Sequence, residues 1–267
     1  MSSLLAGLLG ALTGLGGGVV IVPMLTLGFG VDIRYAIGAS LISVIATSSG
    51  AAAAYVKEGF TNIRLGMFLE VATTVGAIAG AWLATLFPTA WIAIIFGFVL
   101  LYSAYLSYRP HAAHHAPAQP DAIATRLRLN GRYPTPDGWQ TYVVQRVPLG
   151  FGLMFVAGLL SGLLGIGSGA VKVLAMDRAM QLPFKVSTTT SNFMIGVTAA
   201  AGAGIYLNKG YIDPALSMPV MLGVLLGSVI GARLLITTNA ERLRQVFSGV
   251  ILLLAIQMLY NGFTGGI

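Results

Sequence analysis

The chain has 267 residues, of which 56% are hydrophobic and 9% are charged, and its mean hydropathy is +0.85. Because a soluble domain carries about 25% charged residues, this composition excludes an ordinary soluble protein and predicts an all-α polytopic membrane protein. The net charge of +7 does not indicate a nucleic-acid partner, because the basic residues lie mostly in loops, where they set the orientation in the membrane. Without any Cys, the chain has no disulfide or thiolate chemistry.

The first predicted element is an interrupted helix. The stretch TGLGGGVVIVP, which begins at Thr13, places four glycines and a proline inside apolar sequence, and both residue types weaken a helix. Half-helices over 4–13 and 19–28, each of about 10 residues, rise about 15 Å and reach the middle of a membrane. Irregular backbone at that depth must be buried in protein or line a wet cavity, so we expect a broken or re-entrant segment that binds a ligand. The N–H groups available for binding are those of Gly16, Gly17 and Gly18. The alternative is that the glycines only allow close helix packing.

Six apolar runs near twenty residues long follow this segment. They are residues 36–56, 65–86, 90–108, 187–207, 215–236 and 246–260. Each is long enough, or nearly so, to cross a hydrocarbon core about 30 Å thick. Since Met1 to Ala11 lacks a basic region, we expect no cleavable signal peptide.

A polar segment, residues 109–148, separates the third of these runs from the fourth. Its alternating residues and its Pro136-Asp137-Gly138 turn predict a small hairpin. We expect three histidines in its Pro- and Ala-rich part to be exposed to solvent rather than to bind a metal ion. They are His111, His114 and His115. The sequence therefore predicts no metal site and no cofactor.

The second half of the chain repeats the first at an offset of 151 residues, the separation of Gly7 and Gly158. At this offset GLLGALTGLGGG is matched by GLLSGLLGIGSG without a gap. Paired, glycine-interrupted segments are the best sequence indication of a transporter's binding site. The second break offers Gly167, Ser168 and Gly169. We expect two related repeats of four segments each, over 1–108 and 149–267, joined by the polar linker 109–148.

The distribution of Lys and Arg favours one of two topologies. If all eight segments cross the membrane, the basic residues show only a weak bias between the two sides. Lys172 and Arg233 lie inside or at the edge of apolar runs and are set aside. If each glycine-rich segment is re-entrant, the repeats are inverted, and only Arg34 and Lys209 oppose the other basic residues. The richer side then holds Lys57, Arg64, Arg109, Arg126, Arg128, Arg132, Arg146, Arg178, Lys185, Arg242 and Arg244. Because cytoplasmic loops carry an excess of Lys and Arg, we expect inverted repeats and a cytoplasmic linker, with eight full spans as the alternative.

Polar side chains near two helix starts are the best candidates for holding a ligand. VSTTTSNF contributes Thr190, Ser191 and Asn192, and AIGASL contributes Ser40 at the equivalent place. Hydroxyl groups cap helix starts, but six consecutive polar residues exceed what capping needs. Free N–H groups at a helix start also favour an anion. We therefore expect the starts of these two helices and the two breaks to converge on one anion site.

Two charged residues lie in or beside apolar sequence. Lys172 follows the second break and stands where the first half has Ile21. We interpret it either as a counter-charge for an anion or as a lysine that reaches the membrane surface. Glu70, whose equivalent is Met221, is either a proton-coupling carboxylate or an interfacial residue.

The glycine cluster followed by Pro23, its second copy and the AIGASL and VSTTTSNF helix starts resemble the sulfite exporter TauE/SafE family. The resemblance covers essentially the whole chain. It implies a bacterial or archaeal permease for sulfite, sulfonates or related organosulfur anions, with export as the usual direction. It gives importance to the glycines Gly16, Gly17, Gly18, Gly165, Gly167 and Gly169. Ser168 and Leu174 depart from the pattern, and the seven or eight spans usual for the family support the alternative topology.

We therefore predict a secondary transporter, not an enzyme, for small sulfur-containing anions in the inner membrane of a prokaryotic cell. It would use alternating access around a site midway through the membrane, driven by the membrane potential, the substrate gradient or protons. The alternatives are an anion channel and a carrier of another small anion such as a carboxylate. The chain has no GxxxxGK[ST] motif, so ATP does not drive transport through it. The expected partners are the anion and the lipid bilayer; a homodimer is left open.

Overall fold

The computed structural model describes residues 2–13, 17–57, 59–108, 121–135, 138–237 and 240–265. This part of the chain contains eleven α-helices and one two-stranded sheet. The expectation of an all-α fold is therefore confirmed, and the small sheet belongs to the linker.

The first half contains five helices. They are α1 (Ser2–Thr13), α2 (Gly18–Pro23), α3 (Ile33–Lys57), α4 (Ile63–Leu86) and α5 (Thr89–Tyr108). A π-helical stretch, Met24–Gly28, continues α2. α4 begins where the side chain of Asn62 accepts a hydrogen bond from the N–H of Leu65, which satisfies one of the free amides of a helix start. With 25 and 24 residues, α3 and α4 each rise about 36 Å and are long enough to cross a membrane.

The linker packs on one end of the bundle. It contains α6 (Ala122–Arg126), β1 (Gly131–Thr135) and β2 (Gly138–Tyr142), and the two strands pair antiparallel. The predicted hairpin is therefore confirmed. The three histidines His111, His114 and His115 lie outside the described residues.

The second half also contains five helices. They are α7 (Val147–Leu164), α8 (Gly169–Leu174), α9 (Phe184–Asn208), α10 (Pro214–Thr237) and α11 (Ala240–Thr264). The starts of α8 to α11 lie 151 residues after those of α2 to α5, which is the offset of the glycine pattern. A π-helical stretch, Ala175–Ala179, continues α8 at the same offset. Because Leu174 stands where the first half has Pro23, a proline is not required for this π-helical geometry.

The most extensive helix pairs join the two halves: α1 packs on α10, α7 on α4, α3 on α9 and α5 on α11. Glycines make two of these contacts close. Gly158 of α7 lies directly against the carbonyl of Thr73 in α4, with no room for a Cβ atom. Gly7 of α1 lies in the same way against the carbonyl of Val224 in α10. These glycines therefore allow close helix packing, as small residues do in other membrane proteins.

One end of the bundle, which we call the linker end, is defined by contacts of Asn62. Its amide group donates to the carbonyl of Leu129 and to the hydroxyl of Tyr142, both in the linker. Close by, the ammonium of Lys185 lies over the ring of Phe60. The starts of α4 and α9 are therefore both at the linker end.

The other end, which we call the opposite end, is defined by the start of α3. There the guanidinium of Arg34 donates to the carbonyl of Phe87, just after α4. The ring of Tyr35 contacts the edge of Tyr211, just after α9. α3 therefore begins where α4 and α9 end, and α3 runs antiparallel to α9.

The segment from α7 to the end of the second π-helical stretch starts and finishes at the linker end. The N–H of Gln145, before α7, donates to the carbonyl of Met180, after that stretch, at 3.1 Å. The side chain of Met180 also fills the space beside Gly150, in the first turn of α7. The beginning and the end of this segment therefore lie side by side at the linker end of the bundle.

Candidate functional site

The predicted second break lies between α7 and α8. Gly165 and Gly167 have φ angles of +67° and +69°, and Ser168 has a φ of +47°. These left-handed conformations end the helix. Glycine adopts them without steric strain, whereas a residue with a Cβ atom is strained in them. A strained conformation such as that of Ser168 persists only where the surrounding structure holds the backbone in place.

The break is held between α3 and α9. Gly167 lies in contact range of Val44 from α3 and Ile195 from α9. The hydroxyl of Ser40 donates to the carbonyl of Gly165 at 2.7 Å, and the hydroxyl of Ser191 donates to the carbonyl of Gly169 at 3.3 Å. The two serines, which occupy equivalent positions in the two halves, thus bond to carbonyls at either side of the same break.

The first break reaches the second one. A Cβ atom on Gly18 would lie 2.7 Å from both the carbonyl oxygen of Gly165 and the hydroxyl of Ser40. Gly17, with a φ of −61°, lies against Val224 of α10 instead. Gly16 lies outside the described residues. The structure therefore brings Gly18, Ser40 and the second break together.

One buried polar side chain at the second break has no hydrogen-bond partner among the described residues. It is the hydroxyl of Ser168, a residue that is only 2% exposed. The N–H of Lys172 donates to the carbonyl of Ser168, and amides that precede it at a helix start have no carbonyl to bind. The break therefore holds hydroxyl and backbone donors that a bound anion would accept from.

Lys172 is fully buried, so the interpretation that it reaches the membrane surface is wrong. Its ammonium donates to the hydroxyl of Thr198 in α9 at 2.6 Å. That hydroxyl in turn donates to the carboxylate oxygen Oε1 of Glu70 in α4 at 2.7 Å. Glu70 is only 7% exposed, so its side chain is packed inside the bundle. A chain of three side chains therefore connects the helix after the second break to α4, about two turns from the start of that helix.

The helix starts of α3 and α9 do not converge with the breaks, because these antiparallel helices begin at opposite ends of the bundle. α9 begins at Phe184, so Ser191 lies about two turns inside the helix. Thr190 points to another neighbour: its hydroxyl accepts a hydrogen bond from the N–H of Asn62. Asn192 is half-buried within α9.

A separate groove of about 270 Å³ lies on the outer side of α8. Its lining includes the rings of Tyr102 and Tyr105 from α5 and the side chain of Arg178. None of the residues 165–169 lines it. The groove is therefore distinct from the region where the two breaks meet.

Comparison with known proteins identifies the family of this chain. The model of the family described as "Sulfite exporter TauE/SafE" matches residues 1–258. The chain belongs to the sulfite exporter TauE/SafE family. The resemblance stated from the glycine motifs is therefore confirmed.

Curated relatives of this TauE/SafE protein cover nearly the full chain. "Probable membrane transporter protein YunE" of Bacillus subtilis (strain 168) is 29% identical, over 97% of this chain and 95% of its own length. "Probable membrane transporter protein MJ0441" of Methanocaldococcus jannaschii is 25% identical, over 96% of this chain and 92% of its own length. No solved structure matches the chain. Family and relatives together identify a multi-pass membrane transporter.

The sequence analysis of this TauE/SafE transporter missed two residues of the site region. Thr198 joins Lys172 to Glu70, and Asn62 holds Thr190. The signal for Thr198 was its position seven residues after Ser191, which places both on one face of α9. For Asn62, the sequence indicates a helix cap, because Asn is a common capping residue and its side chain accepts a hydrogen bond from the N–H of Leu65. Nothing in the sequence indicates that Asn62 also contacts α9.

Proposed function

We propose that this TauE/SafE protein is a secondary transporter that exports small sulfur-containing anions through a site where the two glycine-rich breaks meet. The observation that carries the proposal is the second break. Its backbone is held between α3 and α9, and the buried hydroxyl of Ser168 has no partner among the described residues. The family description, sulfite exporter, supplies the class of anion.

The ligand groups in this proposal are mostly uncharged donors. They are the backbone N–H groups of Gly16, Gly17, Gly18, Gly167, Ser168 and Gly169 and the side chains of Ser168 and Asn192. Ser191 donates its proton to the carbonyl of Gly169 and positions the break from that side. Ser40 positions the break through the carbonyl of Gly165. Thr190 faces Asn62 at the start of α4 rather than the break, so we leave it out of this set. A sulfite or sulfonate group presents several acceptor oxygens and suits such a ring of donors.

The single cation of the site is Lys172. It lies in α8, one turn after the break, and is removed from water. A charge in a poorly solvated interior attracts an anion more strongly than it does in water. We therefore assign Lys172 the role of counter-charge for the bound anion.

The topology that we propose has two inverted repeats with re-entrant first segments, and the linker in the cytoplasm of a prokaryotic cell. The contact between Gln145 and Met180 supports a re-entrant second segment. The linker end also holds Arg64, Lys185 and the linker arginines, as the positive-inside rule requires of the cytoplasmic side.

Alternating access would then be a rocking of packed helix pairs about the α3–α9 contact. Gly158 fixes α7 to α4, and Gly7 fixes α1 to α10. The helix before each break thus packs on a helix of the other half. Movement of the α7–α4 pair relative to the α1–α10 pair would open the site to one side of the membrane at a time.

A binding and flux experiment tests the function. Purified protein is warmed in detergent with sulfite, thiosulfate, sulfate, sulfoacetate, taurine or acetate. A bound anion at 100 times its Kd stabilises the folded state by about 2.7 kcal/mol and raises the unfolding temperature. We expect sulfur anions to do so, and Ser191→Ala to weaken the shift more than Ser43→Ala, whose hydroxyl bonds only within its own helix.

Reconstituted vesicles separate the alternatives. Saturable counterflow of a sulfur anion supports a carrier, and single-channel currents indicate an anion channel. A shift with acetate alone indicates a carboxylate carrier. If no anion shifts the unfolding temperature or crosses the vesicle membrane, the proposed function is wrong.

A further inference from the structure

The chain Lys172–Thr198–Glu70 buries a cation and an acid without direct contact between them. The ammonium of Lys172 and the carboxylate oxygen Oε1 of Glu70 lie on either side of the Thr198 hydroxyl, at 2.6 Å and 2.7 Å from it. Thr74 adds a weaker hydrogen bond to the same Oε1, at 3.3 Å. The other oxygen, Oε2, is buried and has no hydrogen-bond partner among the described residues.

An unpartnered carboxylate oxygen in a buried place is costly, because neither water nor a donor stabilises its charge. One proton on Oε2 removes that charge. The position is therefore suited to a carboxyl group that changes its protonation state, rather than to a fully satisfied structural ion pair.

Few other charges face Glu70. Among the described residues of the two helices packed on α4, α7 has no titratable side chain and α9 has Lys185 and Tyr206. Lys185 lies over Phe60 at the linker end, and the hydroxyl of Tyr206 bonds to the carbonyl of Gly162. Beyond α8, Asp177 and Arg178 lie in the π-helical stretch that ends at the linker end. Lys172 is thus the charge that is connected to Glu70 by hydrogen bonds.

We propose that Glu70 takes up one proton whenever an anion binds beside Lys172, so that one anion and one proton cross the membrane together. This inference rests on the proposed function. In the empty site, Lys172 and the Glu70 carboxylate sum to zero charge. An incoming monoanion adds a negative charge next to Glu70, and a proton bonded to Oε2 restores a net charge of zero. The proton comes from the side of the membrane that the anion leaves and departs with it.

The two repeats differ at this chain. Ile21 and Met221 occupy the positions equivalent to Lys172 and Glu70, while Thr47 is equivalent to Thr198. The hydroxyl of Thr47 bonds only to carbonyls of its own helix. The described part of the protein holds one such chain, which predicts one proton per anion.

Wild-type protein in vesicles gives the main test. The probes are labelled methanesulfonate, thiosulfate and sulfoacetate, which bind and release no proton near neutral pH. An internal pH dye counts the protons that accompany each anion, and valinomycin with potassium sets the membrane potential. We expect one proton per anion for each transported probe, and a methanesulfonate flux that changes less than twofold with potential.

The outcomes separate the two proposals. Transport of a probe without a proton overturns the inference and leaves the proposed function standing. If no probe binds or crosses, the proposed function itself is wrong and the inference fails with it.

Variants add a second test, in which the number of protons that accompany each anion is measured rather than the stability of the protein. Glu70→Gln keeps the shape of the side chain and cannot take up a proton, so we expect methanesulfonate to move without protons and its flux to follow the membrane potential. Thr198→Val, with Thr47→Val as its matched control, should lower the proton count below one, and the control should not. A proton count of one in a folded Glu70→Gln protein would contradict the assignment to Glu70.

Discussion

Gly18 and Gly165 lie against each other, although 147 residues separate them in the chain. Ser40 bridges the contact through its hydrogen bond to the carbonyl of Gly165. The two breaks therefore form one structural feature, and a substitution that displaces the backbone of one break should also displace the backbone of the other.

Gly18→Ala should disturb this contact. The new Cβ atom would lie 2.7 Å from a backbone carbonyl, which cannot move as a flexible side chain can. Overpacking of this kind costs about 1–3 kcal/mol, so we expect a lower unfolding temperature and weaker anion binding, measured by thermal unfolding with and without sulfite. The control is Gly152→Ala in α7, where nothing lies within 4 Å of the new atom. Equal effects of the two substitutions would contradict the contact.

Ser168→Gly should separate stability from binding. Glycine adopts the left-handed conformation of this position without strain, so we expect the folded state to gain about 1 kcal/mol. The same change removes a buried, unpartnered hydroxyl. If that hydroxyl binds the anion, the affinity falls by about fivefold, since one hydrogen bond is worth about 1 kcal/mol. Thermal unfolding and sulfite titration measure the two effects. A more stable variant with unchanged affinity would remove Ser168 from the ligand set.

Glycine spacing in the sequence predicted where the helix breaks because φ angles near +67° are a local requirement. Gly165 and Gly167 meet it through their own backbone, whatever surrounds them. The partner of Lys172 was not predictable in this way. Glu70 lies 102 residues earlier, on a helix that only the folded bundle brings next to α8 and α9.

Thr190 shows a second limit of sequence reasoning. It is adjacent to Ser191, and the run of polar residues suggested one shared ligand. In a helix, however, neighbouring residues point about 100° apart. Ser191 therefore faces the second break, whereas Thr190 faces Asn62 at the start of α4.

Asp121 should make the attachment of the linker sensitive to acid. Its two carboxylate oxygens accept hydrogen bonds from the N–H groups of Val147 and Ile123, and these bonds hold the pKa of Asp121 below its usual value of 3.8. The folded protein therefore binds this proton less readily than the unfolded chain does. The stabilisation is complete above about pH 4 and is lost as the pH falls through the depressed pKa.

Hydrogen exchange at the start of α7, corrected for the intrinsic effect of pH, measures this loss. We expect the Val147 amide to lose protection below about pH 4 in the wild-type protein. In Asp121→Asn, which has no titrating group at this position, protection should not change over the same range. An identical pH profile in both proteins would assign the effect to another acid.

The proposed topology predicts which loops face the same side of the membrane. The chain has no Cys, so single substitutions can be labelled without background. Asp32→Cys, Arg178→Cys and Lys209→Cys all change exposed residues. With inverted repeats, a membrane-impermeant maleimide added to intact cells should label positions 32 and 209 and should reach position 178 only after permeabilisation. Thr141→Cys in the linker is the control for the cytoplasmic side. Eight full spans predict a different grouping, with positions 32 and 178 together and 209 with the linker. Because Met180 returns to the backbone of Gln145, we expect position 178 to behave like the linker.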